Sequence, residues 1–137
     1  MRYLTADGSE SADVGIRGFH EAWQPLLDRG TRLVVLAEPP LLGAELLECQ
    51  LASGDDPLPC SPTPAEARAN DDLAVDAAGE VGVPVIDMSP YFCEASRCPT
   101  VVGGVLVYRD EHHFTGTFGR TLAPFLEREL RAIGVVD

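Results

Sequence analysis

The chain has 137 residues, 45% of them hydrophobic and 23% charged, which suits one compact globular domain, residues 1–137, with enough length to bury a core. Its formal net charge of -12 would repel a phosphate backbone, and no basic cluster opposes it locally, so nucleic acid is excluded as a partner class. No apolar run approaches the roughly 20 residues that a membrane-crossing helix needs.

The opening residues, MRYLTADGSE, are polar and turn-rich, with neither the basic stretch nor the apolar core of an export signal. Ile16, Phe19, Trp23, Leu26 and Leu27 then recur at helical spacing and predict an amphipathic helix over residues 12–28, closed by Arg29 and Gly30, with Pro25 bending its end. His20 is read as a residue of its polar face. TRLVVLAEPP follows, a run of β-branched residues and leucines ended by two prolines, the pattern of a strand buried on both faces in a parallel sheet.

Residues 41–62 read as a loop excursion in which GAELLECQLA makes a short helix before SGDDPLPCSP turns. TPAEARANDDLAVDAAGEVG predicts a further helix with Thr63 as N-cap, Pro64 in the first helical position and Glu66 completing a capping box. Asn70, the only asparagine, falls inside that helix, where it would be badly placed to stabilise an oxyanion. VPVIDM is a second short buried strand, and TVVGGVLVYRD reads as extended with a break at Gly103 and Gly104. Phe118, Leu122, Phe125, Leu126, Leu130 and Ile133 mark a closing helix, capped by Thr115 or Thr117 and kinked at Pro124.

Helices alternating with strands imply right-handed crossovers and an α/β fold with a parallel, doubly wound sheet. Two parallel strands make a poor sheet by themselves, so the expectation is a partial fold whose remaining strands lie upstream. Cys49 with Cys60 and Cys93 with Cys98 form two local pairs, the simplest of the three connectivities that four cysteines allow. Their spacing does not suit zinc. Two such disulfides imply an oxidising, extracytoplasmic compartment. That location agrees with the signal-less start if the chain is a segment of a longer, membrane-targeted protein.

VYRDEHHFTGTF, residues 107–118, concentrates the candidate chemistry. A histidine acting as general base must be held in one tautomer, and a carboxylate three residues earlier on a turn can reach its Nδ1 and do that, which singles out Asp110 and His113. Glu111 and His112 are read as solvated neighbours. A metal site built from Glu111, His112, His113 and another acid is disfavoured, because adjacent histidines project in different directions and no H-x3-H spacing occurs. No metal and no cofactor is expected.

Several elements in order carry a resemblance: the aspartate-ending strand VPVIDM, the C-x4-C loop of Cys93 and Cys98 followed by Pro99, the block VVGGVLVYRD, the His113-Phe114-Thr115 element, and a helix opening RTLAP. Together they resemble the C-terminal part of the SGNH hydrolase-like domain found in acyltransferase 3 family membrane O-acyltransferases, closely over residues 83–130 and more loosely over residues 29–69. The resemblance implies a partial SGNH or flavodoxin-like three-layer fold. It also implies that Asp110 and His113 are the acid-base part of a Ser-His-Asp triad, acting in acyl transfer or ester hydrolysis. The implied acceptors are cell-envelope glycans or small-molecule esters. The implied partner is an upstream membrane acyltransferase domain that tethers the chain outside the cytoplasm. The chain departs from the family in lacking the G-D-S nucleophile motif, and Ser9, in ADGSES, is the nearest approach to it. The strands that carry the serine are therefore expected upstream, and the chain alone is expected to be inactive. The alternative is a non-catalytic SGNH-like binding or structural module.

Overall fold

The computed structural model describes residues 3–53 and 60–136. Helix α1 spans Ala12–Leu27, with Ser11 accepting the Val14 N–H as N-cap. Strand β1 is Val35–Leu36, and helix α2 is Ala44–Ser53. The expected long helix after Thr63 is two helices, α3 at Pro64–Ala67 and α4 at Leu73–Val81. Strand β2 is Val85–Ile86, strands β3 and β4 are Val101–Val102 and Val105–Leu106, and α5 is Gly116–Ala132, continuous through Pro124. The turn expected from SGDDPLPCSP lies largely outside the described residues.

The capping box at α3 forms as the sequence predicts: the Thr63 hydroxyl accepts the Glu66 N–H at 3.3 Å, and Glu66 Oε2 accepts the Thr63 N–H at 2.7 Å. The helix nevertheless stops at Ala67 because a second cap competes downstream. Asp72 Oδ1 accepts the Ala74 and Val75 N–H groups at 3.1 and 3.2 Å, starting α4 afresh, and its Oδ2 accepts the Glu38 N–H at 2.7 Å. The carbonyl of Ala67 meanwhile accepts from the Leu41 N–H at 2.8 Å. Asn70 therefore sits at the bend between helices.

β1 and β2 pair in parallel, Val35 opposite Val85 and Leu36 opposite Ile86, as expected for this α/β class. One face is covered by α1 and α4, where Val35, Ala78 and Val83 pack with Trp23, Leu27 and Leu33. Gly15 allows that contact, since a Cβ there would come within 2.7 Å of Leu73 and Tyr3. His20 belongs to this layer and not to the polar face assigned from spacing: its Nε2 lies 3.0 Å from the Ala77 carbonyl and 3.7 Å from Glu80 Oε2. On the other face Ile86, Met88, Phe92, Val107, Tyr108, Phe118 and Leu122 form the larger core beneath α5. Helices thus pack on a small, two-stranded parallel sheet.

β3 and β4 do not join the parallel pair. They form a separate antiparallel hairpin, and the break expected at Gly103 and Gly104 is its turn, with φ values of +57° and +78°. Two successive residues at positive φ suit a two-residue hairpin turn and glycine alone adopts them without strain. Disulfides link Cys49 to Cys60 and Cys93 to Cys98, the pairing read from the sequence, and the Cys98 N–H donates to the Pro62 carbonyl at 2.7 Å, tying the two bridged loops together.

Candidate acid-base turn and adjoining cleft

Residues 108–114 leave the hairpin and return to it as a closed loop. Tyr108 and Phe114 face each other in an antiparallel bridge, the Arg109 N–H donates to the His113 carbonyl at 2.8 Å, and the Thr115 N–H donates to the Val107 carbonyl at 2.7 Å. Thr115, not Thr117, caps α5: its hydroxyl accepts the Phe118 N–H at 3.1 Å and donates to the Leu106 carbonyl at 2.6 Å. The turn is thus fixed at both ends by the backbone before any side chain within it is considered.

Inside the turn Asp110 is the organising group. Its Oδ1 accepts the backbone N–H groups of His112 and His113 at 3.0 and 2.9 Å and lies 2.7 Å from His113 Nδ1. Its Oδ2 receives Arg109 Nε and Nη2, each at 3.2 Å. Donation from the His112 backbone first, and from the His113 side chain next, holds the Asp110 carboxyl well below the usual carboxylate range. An ionised carboxylate only accepts, so the neutral His113 ring carries its proton on Nδ1 and keeps a lone pair on Nε2. The imidazole is 64% exposed and available to an incoming group. Tyr108, just before the turn, is buried in the core, and that burial pushes its phenol up to about 12.

Beyond the carboxyl end of β1 lies a cleft of about 580 Å³, lined among others by Tyr3, Ser11, Glu38, Asn70, Asp71 and His112. A neighbouring cleft of about 350 Å³ shares Glu38, Pro39, Leu41 and Asn70 with it and runs on to Arg68 and Asp87. Ligands of parallel α/β sheets sit at this end of the strands. Spacing alone missed the involvement of Asn70 and His112. Asn70 was hidden by the helix expected to run through it, although Asn70-Asp71-Asp72 is a run of N-cap residues that marks a new helix start. His112, read as a solvated neighbour, is exposed with its Nδ1 3.6 Å from Glu111 Oε1, yet it also forms part of the cleft wall.

Among the described residues Ser9 has no histidine partner: its hydroxyl lies 2.8 Å from Asp7 Oδ1 and 2.6 Å from Thr5 Oγ1. The same turn, the Thr5 hydroxyl foremost, lowers Asp7 to about 2. Among the described residues no group of three His, Cys, Asp or Glu side chains could hold a metal ion, and no helix is long and apolar enough to cross a membrane.

The fold is of the α/β class, with helices packed on a small parallel sheet and Asp110 and His113 in contact on the turn before the last helix. The family model described as the SGNH domain (fused to AT3 domains) matches residues 2–128, and the chain belongs to that family. No curated protein and no solved structure matches the chain.

Proposed function

We propose that this chain, as a single domain over residues 1–137, is the acid-base part of an SGNH-type acyl-transfer or esterase domain, in which Asp110 orients His113 for a serine supplied from outside the chain. The observation that carries the reading is the 2.7 Å contact of His113 Nδ1 with a carboxylate oxygen already fixed by two backbone N–H groups. His113 Nε2 takes the serine proton as the hydroxyl attacks the acyl carbonyl, then returns it to the departing group, leaving an acyl-serine. In the second half an acceptor hydroxyl, or water in the hydrolytic side reaction, attacks the acyl carbon and loses its proton to the same nitrogen, which returns it to the serine oxygen as the acyl-serine bond breaks. Asp110 stays ionised throughout and offsets the charge of the imidazolium.

The open edge of β1 supports a serine-bearing segment that completes the sheet. Val35 and Ala37 donate to β2, so the alternation of a parallel ladder turns the N–H and C=O of Leu36 the other way, where the described residues supply no strand. Leu36 is also 54% exposed over an apolar groove of about 190 Å³ lined by Met88, Phe92, Phe114, Leu122 and Leu126. The carboxylates, Asn70, Tyr3 and His112 of the large cleft suit a hydroxyl-rich acceptor, such as a cell-envelope glycan. Two disulfides and a family description naming fusion to AT3 domains support a place outside the cytoplasm, tethered through an acyltransferase domain of the parent chain.

A chain joined to its upstream serine-bearing segment should turn over p-nitrophenyl acetate, while this chain alone should not. His113→Ala should remove the activity of the joined chain, and activity untouched by that change would refute the assignment. The absence of G-D-S favours a second reading, a non-catalytic module. A folded joined chain that binds a glycan and turns over no ester would establish it instead.

A further inference from the structure

Phe114 follows His113 directly, and its ring does not simply lie in solvent. It meets Phe92 edge to face at 5.7 Å, and Phe92, 2% exposed, meets Phe118 of α5 at 5.1 Å. Phe92 immediately precedes Cys93 of the second disulfide, and the N–H groups of Phe92 and Cys93 both donate to the Ser89 carbonyl at 3.0 Å, so its loop is held on both sides. The other wall of the seat is Gly119. A Cβ at that position would stand 2.7 Å from Phe114 Cε2, closer than two carbons approach, and 3.2 Å from Cδ2. Gly119 is helical and its φ is not positive, so its bare surface, and not its backbone freedom, is what the ring uses.

We infer that Phe114 is a positioning residue for His113, and that the seat formed by Phe92 and Gly119 sets the orientation of the imidazole. The coupling is short. Phe114 is bridged to Tyr108, and the peptide between His113 and Phe114 supplies the carbonyl that the Arg109 N–H holds at 2.8 Å. A ring pushed off α5 therefore tilts the peptide that carries the His113 side chain and loosens the Nδ1 contact with Asp110. The inference rests on the reading of Asp110 and His113 as an acid-base pair only for its catalytic consequence, because the geometry can be observed without turnover.

The test uses Gly119→Ala, Phe114→Leu and the double variant, with the ring resonances of His113 followed by NMR in this chain. Turnover is followed in the chain joined to its serine-bearing segment. Gly119→Ala should move the His113 ring signals and lower kcat by roughly 10 to 100-fold with KM little changed, as displacement of a catalytic group by about 1 Å does. Phe114→Leu shortens the ring that the new methyl would strike, so the double variant should recover signals and kcat toward those of Phe114→Leu alone. His113 signals unmoved by Gly119→Ala would overturn the inference. So would a double variant as impaired as Gly119→Ala, since the loss would then arise in α5 itself. Moved and rescued signals in a joined chain that shows no turnover would uphold the seat while refuting the acid-base reading.

Discussion

Val35 and Leu36 are neighbours in one short strand and meet opposite surroundings. Val35, 7% exposed, is closed in by α1 and α4, whereas Leu36, 54% exposed, looks onto the groove beside α5. The turn of Asp110 and His113 is tied to β4, α5 and the bridged loop. The outer edge of β1 has no partner strand among the described residues. An Asp-His pair can therefore be fully organised in a domain whose sheet presents an open edge among the described residues, because the two depend on different contacts.

The largest effects should come from the organised side. In the joined chain, Asp110→Asn should cut kcat by roughly 10² to 10⁴-fold, the range that general-base catalysis spans. Stopped-assay kinetics would measure it, and a loss under threefold would mean that the carboxylate does not hold the base. For folding, the double variant Cys49→Ala/Cys60→Ala removes a bridge closing a separation of 11 residues and should lower stability by roughly 2 to 3 kcal/mol in urea titrations.

The two faces of β1 should also respond differently to truncation. Val35→Ala should cost about 2 kcal/mol from lost burial and the cavity left behind. Leu36→Ala should stay within about 0.5 kcal/mol in this chain, as surface changes do. Equal losses at the two positions would show that the groove face is closed in solution. Thr115→Ala, which deletes the α5 cap and the bond to the Leu106 carbonyl, should cost about 1 kcal/mol.

The smallest effect concerns pH. Asp110 titrates lower folded than unfolded, so its bonds to the turn stabilise fully above the ordinary carboxylate pKa of about 4 and fade only as pH falls below it toward the depressed value. In ¹³C NMR the Asp110 carboxyl should accordingly still be ionised at pH about 4, and a carboxyl protonated by half or more at that pH would contradict the hydrogen bonding described.

Much of this was legible in the sequence because local signals and tertiary contacts agreed. The periodicity from Ile16 to Leu27, the capping box at Thr63 and the local cysteine pairs each reappear in the fold, and the two apolar runs pair in parallel, although Leu36 and Val85 leave each strand exposed on one side and not buried on both faces. What was not legible depends on distant partners. The break at Asn70 is set by Asp72 reaching across to the Glu38 N–H, 34 residues away, and no helical periodicity records that bond. His20 was misplaced for the same reason, its partner being the Ala77 carbonyl on another helix. The Asp110 and His113 pair was readable because all its partners lie within three residues, while the cleft brought together Tyr3, Glu38, Asn70 and His112 from four separate segments.

The most direct test of the account is the tautomer of His113, read from its ring nitrogen shifts by ¹⁵N NMR in the neutral form. The pairing with Asp110 predicts that Nδ1 is the protonated nitrogen in this chain, and that Asp110→Asn weakens the preference. A proton on Nε2, or shifts indistinguishable from those of His112, would contradict it.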